Sequence, residues 1–183
     1  MHRIFLAINL PEKVKAQLLG YKERWPELPA RWTKPENLHV TLLFLGNTSE
    51  KELKDITKKA KEVATRHQVF SMLLSQIVYG PSTANPRMVW ATGELPKELK
   101  ALHQSLQKTL VKVPDKKPFS LHITLARLKE WEFQKLESEE RPDIQENISL
   151  EIPVRSIDIM ESNLKRTGAE YRILETCNLK HEA

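Results

Sequence analysis

The chain has 183 residues, with 29 Lys and Arg against 24 Asp and Glu, a formal charge of +5 and a pI near 9.3. At 40% hydrophobic and 29% charged, it has the composition of a soluble globular protein of one domain's length, which excludes disordered, collagenous and repeat-array chains. With 5 Gly, and with neither GxGxxG nor GxxxxGK followed by Ser or Thr, dinucleotide-fold and P-loop chemistry drop out. A single cysteine, Cys177, supplies neither an internal disulfide nor a Cys-based zinc site and fits a reducing, cytoplasmic address. The N-terminal apolar run is too short for a secretory signal or a membrane span, so no membrane association is expected. The basic balance is compatible with an anionic partner without identifying one.

Alternating apolar residues predict a strand from Arg3 to Asn9. Pro11 suits the first turn of a helix with Val14, Leu18, Tyr21 and Trp25 on one stripe, ended by Pro26. Pro26, Pro29 and Pro35 bracket an irregular stretch holding Arg31 and Trp32. A strand over His39 to Leu45 is stopped by Gly46 and Asn47. Ser49 with Glu52 is a capping-box pattern opening a helix to about Thr65, with Leu53, Ile56, Ala60 and Val63 inward. Its Lys-rich face is interspersed with Glu52, Asp55 and Glu62 and reads as solvated. Strands follow at Phe70 to Val78 and Arg87 to Thr92, joined by the turn-rich Gly80 to Pro86. A third helix carries Leu99, Leu102, Leu106 and Leu110. After Pro114 and Pro118 comes a strand around Leu121 to Leu125, then a charged segment from Lys129 to Glu146 with no clear periodicity. The tail from Ile148 to Leu179 reads as two β-type runs around a turn at Thr167-Gly168. Helices mixed with hairpin-like strands give an α+β fold rather than a doubly wound one.

The sequence contains one internal repetition that carries chemistry. Leu38-His39-Val40-Thr41-Leu42 and Leu121-His122-Ile123-Thr124-Leu125 are the same pentapeptide with one Val-for-Ile change, nearly half a chain apart. In a strand, residues i and i+2 share a face, so each His-Thr pair is presented while its apolar neighbours anchor the strand. Two structurally related halves facing each other would bring two imidazoles and two hydroxyls to one place. Histidine's ordinary pKa lets one ring be a base while the other is an acid, and hydroxyls and a cation can hold an anion between them. A phosphodiester suits that arrangement. Arg127, five residues after His122, is out of phase in an ideal strand and reaches the same anion only if the strand ends or bends. A zinc site is disfavoured by the absence of HExxH, and a serine triad by the absence of GxSxG. His2, His67, His103 and His181 have no partner spacing and read as surface or packing residues.

Pro35-Glu36-Asn37-Leu38-His39-Val40-Thr41-Leu42, ending Phe44-Leu45-Gly46, together with His122-Ile123-Thr124-Leu125-Ala126-Arg127, resembles the 2H phosphoesterase superfamily. Within it the chain is most similar to the RNA 2',3'-cyclic phosphodiesterases, also called 2'-5' RNA ligases. The opening Arg3 to Ile8, the strand Arg87 to Trp90, Ser162-x-Leu164 and Gly168-x-x-Tyr171 extend the similarity along essentially the whole chain.

The resemblance implies one domain, 1–183, of two pseudo-twofold lobes, each contributing one His-x-Thr motif, with antiparallel sheets lining a central cleft and helices outside. It also implies hydrolysis of RNA 2',3'-cyclic phosphate ends to 2'-phosphates without metal or nucleotide cofactor, together with reversible, ATP-independent 2'-5' ligation. By position His39 is the general acid and His122 the general base; Thr41 and Thr124 hold the phosphate oxygens, and Arg127 helps bind the phosphate or the terminal nucleotide. A monomer is expected. Leu121 stands where the family commonly has Pro, which bears on substrate preference. Phe5, Trp32 and Tyr171 are candidates for base stacking, with core packing as the alternative. Two other readings stay open: a noncatalytic module that binds RNA ends, and a phosphodiesterase for a small cyclic phosphate.

Overall fold

A computed structural model describes residues 1–113, 117–166 and 168–181. In chain order the elements are β1 (His2–Asn9), α1 (Glu12–Gly20), β2 (Ala30–Trp32), β3 (His39–Thr48), α2 (Glu50–Ala64), β4 (Phe70–Gly80), β5 (Met88–Thr92), α3 (Lys97–Leu110), β6 (His122–Leu128), α4 (Glu130–Gln134), β7 (Gln145–Val154), β8 (Ser156–Lys165) and β9 (Gly168–Asn178). They form two antiparallel sheets, a four-stranded one in the order β3-β1-β8-β9 and a five-stranded one in the order β2-β6-β5-β4-β7. The α+β, two-lobed architecture expected from the sequence is the one observed.

The two sheets are built alike. In each, a strand leads through a helix to an antiparallel neighbour that starts at a motif histidine: β1 through α1 to β3, and β5 through α3 to β6. Strands β3 and β6 lie against each other where the sheets meet. The repeated pentapeptides alternate as period-2 geometry requires: Leu38, Val40 and Leu42, and Leu121, Ile123 and Leu125, are buried, while His39, Thr41, His122 and Thr124 are half-buried. Helices α2 and α3 pack against each other, α3 against β3 and α2 against β8 and β9. Leu99, Leu102 and Leu106 on α3, and Ala60, Val63 and Ala64 on α2, fill the interior. The expected capping box is present: the Ser49 hydroxyl accepts from the Glu52 amide at 3.3 Å and the Glu52 carboxylate accepts from the Ser49 amide at 2.8 Å.

Several boundaries differ from expectation. Helix α1 stops at Gly20 and a 3₁₀ turn spans Tyr21–Arg24, so Trp25 lies outside the helix. Proline at position 26 drives Trp25 out of the helical region, to φ −130° and ψ 60°. The stretch around Arg31 is not irregular: Ala30–Trp32 is an edge strand paired with β6. Strand β3 runs past Gly46 and Asn47, which pair with Ile4 and Arg3. It does so because Leu45 is an extra residue in the pairing and Gly46 absorbs the kink at φ +74°. The charged segment after Lys129 holds α4 and a 3₁₀ turn at Ser138–Glu140. The tail contributes three strands rather than two runs, because pairing with β4 begins at Gln145. Pro114 and Thr167 lie outside the described residues.

Candidate active site

A cleft of about 630 Å³ opens between the sheets, and His39, Thr41, His122, Thr124 and Arg127 all line it. Its lining also includes Arg3, Arg31 and Lys34 and, among the described residues, no carboxylate, so this surface is strongly cationic.

Arg127 reaches the cleft through a β-bulge. In the β5–β6 pairing Trp90 faces Thr124 and Val89 faces Ala126, which leaves Leu125 as an extra residue. Leu125 and Ala126 both turn inward, and Arg127 emerges on the His122 face. The first sheet repeats the device at the same offset. Ala7 faces Thr41 and Leu6 faces Leu43, so Leu42 is extra, and Phe44 emerges beside His39. Phe44 is therefore the counterpart of Arg127 in the other lobe, 74% exposed and lining the cleft. Sequence reasoning missed it, although aligning the two pentapeptides puts Phe44 and Arg127 at the same offset. The bulge in β6 is fastened by Thr33, whose amide donates to the Leu125 carbonyl and whose hydroxyl donates to the Thr124 carbonyl, both at 2.8 Å.

Each motif histidine is oriented by the carbonyl two residues before it. His39 Nδ1 lies 2.8 Å from the Asn37 carbonyl and His122 Nδ1 lies 3.1 Å from the Ser120 carbonyl. A carbonyl only accepts, so it places the proton of His39 on Nδ1 and leaves Nε2 for the cleft; the Ser120 carbonyl favours the same tautomer in His122, whose Nδ1 also lies 3.2 Å from the Ser120 hydroxyl. In His39 that Nε2 accepts from the Thr41 hydroxyl at 3.0 Å. Asn37 also ties the site to β9, its amide donating to the Ala169 carbonyl at 2.9 Å. Leu121, in place of the expected proline, is 1% exposed, and its carbonyl accepts from the Thr92 hydroxyl at 2.7 Å. Core packing and that hydrogen bond thus fix the entry to His122.

A model of the LigT like Phosphoesterase family matches twice, over residues 8–90 and 91–171. The chain belongs to the LigT-like phosphoesterase family. An RNA 2',3'-cyclic phosphodiesterase of Thermus thermophilus is 32% identical over 98% of this chain and 91% of its own. Another, of Thermotoga maritima, is 28% identical over 97% and 96%. Among solved structures, TT0787 of Thermus thermophilus superposes with a TM-score of 0.83 at 31% identity, covering 99% of this chain and all of that one. E. coli LigT complexed with phosphate gives 0.75 at 26%, covering 98% of each.

The two histidines of this LigT-like site differ in surroundings. His39 packs against the Phe5 ring at 5.1 Å and meets Tyr171 edge-on at 5.3 Å. Burial, aided by the neighbouring His122 and opposed by the Asn37 carbonyl, pushes its pKa down to about 4. His122 is stacked by Trp90, centroids 4.1 Å apart and planes at 27°. Its pKa is also lowered by burial, with the Ser120 carbonyl opposing. The indole Nε1 of Trp90 is buried without a hydrogen-bond partner among the described residues, so this side chain is held for its face and not its N–H. Of the three stacking candidates, Phe5 is buried against His39, while Trp32 and Tyr171 are half-buried; all three touch the cleft.

The remaining histidines are placed elsewhere. His2 bonds Glu161 and Glu50, His67 bonds Ser105, and His103 stacks on Phe119. Among the described residues no helix is long and apolar enough to cross a membrane.

Proposed function

We propose that the chain is an RNA 2',3'-cyclic phosphodiesterase, acting as one unit of two lobes in the cytoplasm. The observation that carries this reading is the convergence of two oriented His-Thr pairs and Arg127 in a cleft lined by further cationic side chains. The curated relatives bear that activity as their name, and E. coli LigT has been crystallised with phosphate.

In this reading the cyclic phosphate lies between the two Nε2 atoms. Water attacks phosphorus and passes a proton to His122; the P–O3' bond breaks and His39 donates its proton to the departing 3' oxygen, leaving a 2'-phosphate. Thr41, Thr124 and Arg127 hold the nonbridging oxygens and the charge that grows on them. In the free site His39 is the more strongly deprotonated ring, so its acid role requires the bound anion to restore its proton. Protonation has a second consequence. Once Nε2 carries a proton it no longer accepts from Thr41, and that hydroxyl is released to donate to the phosphate. A 5'-hydroxyl in place of water gives a 2'-5' bond by the same transfers, with no ATP.

The test is hydrolysis of a short RNA ending in a 2',3'-cyclic phosphate, in EDTA, by the wild type, His39→Ala and His122→Ala, with the product isomer identified. A 2'-phosphate from the wild type and at least an about 100-fold loss in each variant are expected. Binding without turnover would make the protein a noncatalytic end-binding module, and a 3'-phosphate product would reverse the geometry assigned here.

A further inference from the structure

Arg31 and Arg127 stand directly opposite each other where β2 pairs with β6. Directly opposed side chains in an antiparallel pair sit about 5 Å apart at Cβ, and like charges there destabilise the sheet. Among the described residues nothing negative relieves this pair: none that lines the cleft is a carboxylate, and neither guanidinium enters an ion pair. The polar contact Arg127 does make, to the Met88 sulfur at 3.5 Å, is weak. Lys34, on the same segment as Arg31, lines the cleft as well and is likewise outside any ion pair among the described residues. Such an arrangement is costly in the free protein and is relieved by an anion.

The row His122, Thr124, Arg127 runs along β6, and β2 is the edge strand beside it. Arg31 therefore lies one strand spacing, about 4.8 Å, further out than the residues assigned to the reacting phosphate. A 2',3'-cyclic phosphate is by definition the 3' end of its RNA, so every other nucleotide lies on the 5' side of the terminal ribose. The next anion a bound RNA presents is the phosphodiester on that ribose's 5' oxygen. We propose that Arg31, flanked by Lys34, forms a second anion subsite that takes this internucleotide phosphate and gives the enzyme its preference for an RNA end over a mononucleotide. The proposal rests on the phosphodiesterase reading above.

The experiment compares kcat/KM for three substrates: a mononucleoside 2',3'-cyclic phosphate, a dinucleotide ending in the same group, and that dinucleotide with a neutral methylphosphonate linkage. Each is assayed with the wild type and with Arg31→Gln. The wild type should favour the charged dinucleotide over the neutral one by about tenfold or more, the worth of a charge-assisted hydrogen bond. Arg31→Gln should lose that discrimination. Discrimination equal in wild type and variant, or absent from the wild type, overturns the subsite. Turnover of the mononucleotide reports that the variant is folded; should Arg31→Gln fail to fold, Arg31→Lys and Lys34→Gln are assayed in the same way, and discrimination unchanged in both overturns the subsite. Failure of the wild type to turn over any of the three is the separate failure of the phosphodiesterase reading; affinities for the two dinucleotides then still decide the subsite.

Discussion

At the scale of residues, the site is a pair of identical chemical groups made different by their neighbours. His39 sits among Phe5 and Tyr171 and is held neutral down to about pH 4; His122 is stacked by an indole and also titrates low. A mechanism that needs one ring protonated and the other free then predicts a bell-shaped pH dependence of kcat/KM with both limbs below the ordinary histidine pKa of about 6.5. For kcat, which reports the substrate complex, the bound anion raises the affinity for the proton and the alkaline limb moves up. Profiles measured from pH 4 to 9 check this, and a flat profile in either constant would sink the two-histidine mechanism. Thr33 carries a second expectation. It does no chemistry but fastens the β6 carbonyls on both sides of the extra residue. Thr33→Val keeps the shape and removes the hydroxyl bond, so stability should fall by about 1 kcal/mol. Because Thr124 and Arg127 move with those carbonyls, kcat should fall several-fold with the pH profile unchanged, measured by denaturant titration beside steady-state kinetics.

At the scale of elements, what the sequence made legible was periodic and what it hid was irregular. The alternation Leu-His-Val-Thr-Leu correctly forecast which residues face the cleft, because strand geometry leaves no choice. The helix stripes of α2 and α3 were readable for the same reason. Arg127 was named only through the family resemblance and not by period, since a bulge shifts the phase by one residue and nothing in Leu125, or in Leu42 in the other sheet, announces that it is extra. Nor was β2, whose three residues are too few to show a period. The pairing of β4 with β5 holds a further hidden requirement. A Cβ on Gly80 would lie 2.3 Å from the Trp90 ring, so only glycine lets the indole lie flat there, in the position that stacks on His122. Gly80→Ala should cost about 1–3 kcal/mol of stability by overpacking. It should also displace Trp90, lowering kcat and shifting the limb of the pH profile that belongs to His122. Near-UV circular dichroism follows the indole, and a variant with wild-type kinetics would show that the stack is only packing.

At the scale of the molecule, the two sheets meet at β3 and β6 and present one histidine each, so an anion in the cleft touches both lobes at once. Two half-buried imidazoles held neutral make the free protein sensitive to acid. For His39 the folded-state pKa of about 4 lies below the unfolded value of about 6.5, so the unfolded chain binds more protons between these limits. Stability is therefore lost as pH falls through that window, by up to about 3 kcal/mol from this residue, and His122 acts in the same direction. An anion between the rings reverses the balance, because it pairs with the protonated form and binds only the folded chain. Sulfate, which keeps its charge throughout the range, should therefore raise the melting temperature far more at pH 5.5 than at pH 8. A stabilisation near 1 kcal/mol corresponds to about 2–4 °C for a chain of this size. Sodium chloride at matched ionic strength separates site binding from general salting effects. His39→Asn and His122→Asn should each abolish the difference between the two pH values. If sulfate stabilises equally at both, the two imidazoles do not share an anion, and the clamp between the sheets would have to be assigned to the arginines alone.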